Sequence, residues 1–211
     1  ANFRRLAYYE IDSEKVTILT QGIDWDVSGL RMSEDRSRGA FSVNAGGRDQ
    51  VYLFDPSSHQ YNSVSDIPVG RASLGAFSPD NRQLAMTLNT ATSPSDIFTL
   101  PVSADGLDHG AMTRWTASEV AGLDASQFVE PTLIHYPTFD SVRGEPRSIP
   151  AWVYKPVSEG PHPVIISIHG GPESQFRPGF SSTFQQWIAD LGAAVIAPNV
   201  RGSAGYGRDY V

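Results

Sequence analysis

The chain has 211 residues, with 16 basic and 23 acidic side chains, so its formal net charge is −7. This acidic balance argues against a protein that binds the phosphate backbone of nucleic acids. The absence of cysteine excludes disulfides, thiolate metal sites and a cysteine nucleophile. The densest apolar runs, Val164–Ile168 and Ala193–Ala197, are five residues each. A membrane-spanning helix needs about 20, so no membrane span is expected.

Both ends of the sequence look like cuts through a longer protein. The chain opens on Ala1 without an initiator methionine, and it stops at Val211 without a capping glycine or a polar tail. We therefore expect an internal piece of a larger polypeptide.

The first half contains an internal repeat. Residues 30–44 align with residues 75–89 at an offset of 45, and the identical pairs are Ser33/Ser78, Asp35/Asp80, Ala40/Ala85 and Asn44/Asn89. Each copy has a polar turn followed by a short predicted strand. A partial third copy is predicted from the strands Tyr8–Asp12 and Val16–Leu19.

Repeats of about 40–50 residues built from short strands are typical of β-propeller blades. We therefore predict that residues 1–124 form the last blades of an incomplete β-propeller. An ordinary β-sandwich is the alternative. The polar stretch Ala117–Ser126 marks the predicted boundary with a second domain, residues 125–211.

The second domain has the element pattern of an α/β sheet. Pro131–Pro137 and Ser148–Tyr154 predict an antiparallel hairpin. Val164–Ile168 is apolar at every position except Ser167, as expected for a strand buried on both faces of a parallel sheet. Ala193–Ala197 predicts a second buried strand, and the segment between the two predicts a helix.

The predicted helix carries one apolar stripe, formed by Phe184, Trp187, Ile188 and Leu191. Ser181 or Ser182 can cap its start, and Gly192 can end it. We interpret the aromatic side chains of the stripe as core residues, not as a ligand cage.

A glycine-rich loop follows the first of these strands, and it consists of His169, Gly170, Gly171 and Pro172. Ligands of α/β sheets bind beyond the carboxyl ends of the strands. Two glycines let the backbone approach a substrate and direct N–H groups at a developing oxyanion. A simple turn is the alternative interpretation. We expect His169 to fix the loop by bonding backbone, since no acid lies next to it in the sequence.

A second glycine-rich segment, Asn199–Gly207, follows the next strand and is expected at the same sheet edge. Its glycine spacing does not match a dinucleotide-binding loop. Arg201 is predicted to be a buried, hydrogen-bonded organiser of the loop. Ser203 lacks the G-x-S-x-G frame of a hydrolase nucleophile.

These two motifs at this spacing resemble those of the prolyl oligopeptidase family of serine peptidases. The resemblance is strongest to the acylaminoacyl-peptidase and dipeptidyl-peptidase-like branch. It implies an N-terminal propeller followed by the first part of an α/β-hydrolase domain. It also implies that the Gly171 N–H binds the oxyanion and that Arg201, Gly202, Ser203 and Tyr206 support the site from below. The family's Ser, Asp and His triad would then lie beyond Val211.

The sequence therefore predicts part of a serine peptidase that hydrolyses short peptides through an acyl-enzyme. An esterase, or a propeller binding module fused to a non-catalytic hydrolase-like domain, is the alternative. No cofactor, metal or nucleic acid is implied, and an oligomer is compatible with the sequence. A cytoplasmic location is slightly favoured over a periplasmic one.

We predict that residues 1–211 alone hydrolyse no peptide, because no serine in the sequence stands in the G-x-S-x-G frame. Incubation with a fluorophosphonate probe should label no serine. A serine labelled at one-to-one stoichiometry within this chain would contradict the prediction.

Overall fold

The computed structural model describes residues 2–120, 122–142, 144–171 and 173–211. The first repeat copy forms a four-stranded antiparallel sheet in chain order, with strands β3 (Asp26–Met32), β4 (Gly39–Ala45), β5 (Arg48–Asp55) and β6 (Gln60–Ser63). The second copy repeats this arrangement with β7 (Gly70–Phe77), β8 (Gln83–Thr90), β9 (Asp96–Pro101) and β10 (Thr113–Arg114). A separate hairpin precedes them, formed by β1 (Ala7–Glu10) and β2 (Lys15–Ile18). The predicted strands of the repeat are confirmed.

The turn residues shared by the two copies make the same hydrogen bonds. The hydroxyl of Ser33 donates to Asp35 at 2.7 Å, and that of Ser78 donates to Asp80 at 2.5 Å. The backbone N–H of Ser37 and the Ser33 hydroxyl lower the pKa of Asp35 to about 2. The identities in the sequence therefore preserve a turn that holds an ionised carboxylate.

The two repeat sheets share an apolar core. The buried side chains that form it come from β4 and β5 in the first sheet and from β7, β8 and β9 in the second, together with neighbouring loop residues: Ala40, Val51, Leu53, Val64, Ala72, Leu74, Leu84, Met86, Leu88, Leu100 and Val102. Face-to-face burial of alternating apolar side chains is the main stabilising contact of stacked sheets.

The second half forms a mixed four-stranded sheet with the order β11-β12-β14-β13. Its strands are β11 (Thr132–Val142), β12 (Glu145–Tyr154), β13 (Val164–Ile166) and β14 (Ala194–Pro198). The antiparallel pair β11 and β12 confirms the predicted hairpin, and β13 pairs with β14 in parallel. The helix α1 (Ser182–Leu191) connects these last two strands.

The expectation that Val164–Ile168 is buried on both faces is wrong. Val164 and Ile166 are 56% and 62% exposed, and Ile168 lies beyond the end of the strand. The reason is position, because β13 pairs only with β14 among the described strands and so lies at the sheet edge. Ile165 alone packs against the core on the side of α1.

The helix begins and ends as the sequence predicts. The hydroxyl of Ser181 accepts a hydrogen bond from the Phe184 N–H, and Gly192 ends the helix with a φ of 58°. Phe184 and Trp187 pack against the core, whereas Leu191 is 60% exposed and departs from the predicted stripe. With ten residues, α1 is too short to cross a bilayer, and the described part of the chain holds no longer helix.

Asp96 is a buried carboxylate at the start of β9. It accepts hydrogen bonds from the Thr116 hydroxyl at 2.7 Å and the Ser118 N–H at 2.9 Å, and it also binds Arg114. Burial alone would raise its pKa, but the hydrogen bonds from Thr116, Arg114 and Ser118 outweigh it. The pKa of Asp96 consequently falls from 3.8 to about 2. This carboxylate ties the segment after β10 to the second repeat sheet.

We predict that Asp96→Asn destabilises the fold by about 2 kcal/mol at neutral pH, because the substitution removes the charge of an acceptor that serves donors of Ser93, Arg114, Thr116 and Ser118. Since the folded-state pKa is depressed, the contribution of Asp96 is complete above about pH 4 and is lost as the pH falls towards 2. Urea unfolding at several pH values measures both effects.

The control is Asp12→Asn, which makes the same charge change at an exposed position of the β1–β2 turn. Equal stability losses for the two variants between pH 4 and 7 would contradict the role assigned to Asp96.

Candidate active site

The two glycine-rich segments meet at one edge of the mixed sheet. His169–Gly171 follows the parallel strand β13, and the segment that starts at Asn199 follows β14. The ring Nε2 of His169 lies 2.8 Å from the Ser203 hydroxyl, and the Ala204 N–H donates to the Ser174 carbonyl at 2.9 Å. The structure thus brings together the two glycine-rich segments that were predicted to form the site.

His169 and Ser203 form a short hydrogen-bonded chain. The buried Ser203 hydroxyl donates its one proton to the Val200 carbonyl at 2.6 Å. The Ser203 oxygen can therefore accept from His169 when Nε2 carries the ring proton. The other ring nitrogen, Nδ1, lies 3.1 Å from the Gly170 carbonyl oxygen. In this arrangement His169 links the two loops, and the Ser203 hydroxyl is committed to the backbone.

The two glycines of the first loop differ in whether the structure leaves room for a side chain. Gly171 has a φ of +125°, and a Cβ there would lie 2.8 Å from the Cβ of Ser174. Gly170 has an ordinary φ, and a Cβ there would meet nothing within 4 Å. Within the described ranges the Gly171 N–H meets no hydrogen-bond acceptor, so it is available to a ligand. The predicted loop residue Pro172 lies outside the described residues.

The sequence predicted that Arg201 is buried and organises its own loop, but the structure places its side chain at the surface. Its side chain is 46% exposed and donates to Asp140 of β11 at 3.0 Å. Its guanidinium lies 4.9 Å from the ring centre of Phe139. Arg147 of β12 binds the same carboxylate at 3.2 Å. Arg201 therefore fastens its loop to the long β11–β12 hairpin at the surface, where solvent reaches it.

Gly202 and Tyr206 stabilise the second loop. The Gly202 N–H donates to the Tyr210 carbonyl at 3.0 Å, and Gly202 has a φ of +86°. The Tyr206 hydroxyl accepts from the side chain of Asn199 at 2.8 Å. Burial raises the pKa of Tyr206 above its ordinary value, although hydrogen bonds from Gln175 and Asn199 act in the opposite direction. Tyr206 therefore remains a neutral phenol.

No sequence pattern marked residues 173–181, which precede α1 and which we call the connecting segment. Asn199 is buried and binds both backbone groups of Phe176. Its Oδ1 accepts from the Phe176 N–H at 2.7 Å, and its Nδ2 donates to the Phe176 carbonyl at 3.1 Å. This amide fixes the connecting segment on the mixed-sheet side as a strand partner would.

The opposite side of the connecting segment rests on the repeat sheets. Asn44 of β4 donates to the Gln175 side chain at 2.7 Å, and Asn89 of β8 accepts from the Phe180 N–H at 2.8 Å. These two asparagines are one of the identical pairs of the repeat. The repeat identity singles out these two positions in the sequence. It does not predict their hydrogen-bond partners, which lie far away along the chain.

Arg177 adds an ion pair to this contact. It binds Asp49 of β5 at 2.6 Å and donates to the Gly47 carbonyl at 3.1 Å. Gly179 and Gly205 allow the close approach, because a Cβ at Gly179 would lie 2.5 Å from the Asn89 Oδ1. At Gly205 a Cβ would lie 2.7 Å from the Gln175 amide.

Two curated relatives align with nearly the whole chain. The uncharacterized peptidase YuxL of Bacillus subtilis is 23% identical over 96% of this chain and 31% of its own length. Dipeptidyl-peptidase 5 of Aspergillus fumigatus is 27% identical over 97% of this chain and 28% of its own length. The chain thus spans about 30% of the length of these relatives. No protein-family model matches the sequence.

Solved structures of two peptidases have the same fold. Prolyl oligopeptidase B from Galerina marginata superposes with a TM-score of 0.78 at 17% identity, over 98% of this chain and 28% of that one. The acylaminoacyl peptidase of Pyrococcus horikoshii gives 0.68 at 21% identity, over 96% of this chain and 29% of that one. These comparisons confirm the resemblance to the prolyl oligopeptidase family and the β-propeller fold of the repeat sheets.

We predict that Ser203→Ala lowers the free energy of unfolding by about 1–2 kcal/mol, because it removes a buried hydroxyl that bonds both the Val200 carbonyl and His169 and leaves that carbonyl only the Ser203 N–H. It should also change the imidazole nitrogen NMR signals of His169, because Nε2 loses its hydrogen-bond partner. Ser174→Ala is the control, since the exposed Ser174 side chain makes no hydrogen bond to a described residue. An unchanged His169 signal in Ser203→Ala would refute the link.

Proposed function

We propose that this chain is part of a serine peptidase of the prolyl oligopeptidase family that hydrolyses short peptides through an acyl-enzyme. In this proposal residues 1–124 are the last blades of the propeller. Residues 125–211 are the first part of the α/β-hydrolase catalytic domain, up to a point before the nucleophile. Two relatives that are named as peptidases align with almost the whole chain, and this supports the assignment.

The observation that carries the proposal is the conformation of Gly171. Its N–H is without a partner among the described residues, in the loop beyond the carboxyl end of the parallel strand β13. A backbone N–H fixed in this way can donate to the oxyanion of a tetrahedral intermediate, which is worth about 3–4 kcal/mol in the transition state. His169 and Ser203 hold the first loop on the second, and Arg201, Gly202 and Tyr206 hold the second in place.

The propeller would restrict which substrates reach the catalytic domain, and peptides small enough to enter would be favoured. Prolyl oligopeptidase B was solved with a 35-residue substrate for hydrolysis and macrocyclization. We place the nucleophilic serine, its histidine base and the orienting aspartate in the part of the protein beyond Val211. Serine would attack the scissile carbonyl while histidine takes its proton, and water would release the acyl group.

The test uses the complete protein that carries this sequence. A fluorophosphonate probe should label one serine outside residues 1–211, and short peptides should be cleaved. A folded complete protein that neither reacts with the probe nor cleaves peptides would favour the non-catalytic binding module. A protein that is labelled but cleaves only esters would favour the esterase.

Two glycine variants test the role of the loop. Gly171→Ala should lower kcat for peptide cleavage by at least about 100-fold, because strain and the contact with Ser174 displace the N–H donor. Gly170→Ala is the matched control, and it should retain most of the activity because a methyl group there meets open space. Equal losses in the two variants, both correctly folded, would exclude Gly171 as a specific oxyanion donor.

A further inference from the structure

A polar cavity of about 290 Å³ lies where the two repeat sheets come together. The first strands of these sheets, β3 and β7, contact each other, so the sheets converge at this edge. Three arginines line the cavity from three different elements. Arg31 lies on β3, Arg71 lies on β7, and Arg177 lies in the connecting segment.

Among the described residues a single carboxylate lines this cavity, and both of its oxygens already have partners. Asp49 has a side chain that is only 5% exposed, and it binds Arg177 at 2.6 Å. Its second oxygen accepts from the Ala72 N–H at 2.8 Å. One of the three positive charges is therefore neutralised within the cavity, and two are not.

Arg31 and Arg71 carry the two remaining charges. Arg31 donates to the neighbouring Leu30 carbonyl at 3.0 Å. Among the described residues Arg71 has neither a hydrogen-bond acceptor nor an ion-pair partner, although its stem has a defined place. A Cβ at Gly179 would lie 3.7 Å from the Cδ of Arg71, so the connecting segment packs along the arginine stem.

This excess of positive charge stands out in a chain with a net charge of −7. Like charges that converge on one cavity repel each other, and an anion bound between them removes that repulsion. A guanidinium matches a carboxylate through two parallel hydrogen bonds. The exposed Ser73 hydroxyl at the same cavity offers a further donor.

We propose that Arg71 and Arg31 bind a carboxylate group of the peptide substrate in this cavity. The inference rests on the proposed function and deepens it, because the connecting segment that borders the cavity also contacts Gly171 through Ser174. A peptide could present either its C-terminal carboxylate or an acidic side chain. The volume suits one terminal residue or one side chain, and a folded protein would not enter.

The experiment measures peptide binding to the complete protein by calorimetry. The protein is first treated with a small fluorophosphonate, so that a serine nucleophile cannot cleave the peptides during the titration. One arm compares trialanine with trialanine amide. The other compares acetyl-Ala-Glu-Ala-amide with acetyl-Ala-Gln-Ala-amide. We expect the carboxylate member of at least one pair to bind about tenfold more tightly than its amide partner.

Arg71→Gln should abolish this preference, and Arg31→Gln should reduce it. Arg82→Gln removes the same charge at the far end of the β7–β8 hairpin, outside the cavity, and should leave the preference unchanged. Circular dichroism checks that all three variants are folded. Equal affinities for acid and amide in both pairs, or a preference that survives Arg71→Gln, would overturn the inference.

Labelling separates this inference from the proposed function. A labelled protein without a carboxylate preference would leave the peptidase assignment intact and remove the binding site. An unlabelled protein with an Arg71-dependent preference would keep the site and remove the peptidase assignment.

Discussion

The connecting segment is held from two sides, and the arrangement of the candidate site depends on that. On one side the Asn199 amide pairs with both backbone groups of Phe176. On the other, Asn44 and Asn89 bind it from equivalent strands of the two repeat sheets. A buried amide that satisfies a donor and an acceptor at once fixes both the position and the direction of a chain. Gly171 lies against Ser174 of this fixed segment, so its position depends on how the three amides hold the segment.

Interactions of this kind tolerate little variation in volume. At Gly179 and Gly205 the backbone lies so close to the Asn89 and Gln175 amides that a methyl group would not fit between them. Gln185 of α1 extends the same principle. It donates to the Ala91 and Val129 carbonyls and accepts from the Val129 N–H. Hydrogen bonds and close backbone contacts at glycines join the repeat sheets to the mixed sheet. The aromatic core around Tyr154 adds to this junction.

Local patterns in the sequence were enough to predict the repeat strands, the β11–β12 hairpin and both ends of α1. Each depends on turn chemistry or periodicity within about 15 residues. The exposure of β13 and of Arg201 could not be predicted in this way, because both depend on which elements lie alongside in space. The repeat marked Asn44 and Asn89 as equivalent, but their role depends on partners 131 and 91 residues away. The Arg31 and Arg71 cavity depends likewise on two strands from different sheets.

Those separations also govern the order in which the molecule can assemble. Each repeat sheet closes through neighbouring strands, so its contacts are local and form early. The hydrogen bond between Asn44 and Gln175 must close a loop of 131 residues, which costs more chain entropy and comes later. During synthesis the repeat sheets can fold before Gln175 has left the ribosome. The Asn44 and Asn89 side chains can therefore form these hydrogen bonds only after Gln175 and Phe180 have been synthesised.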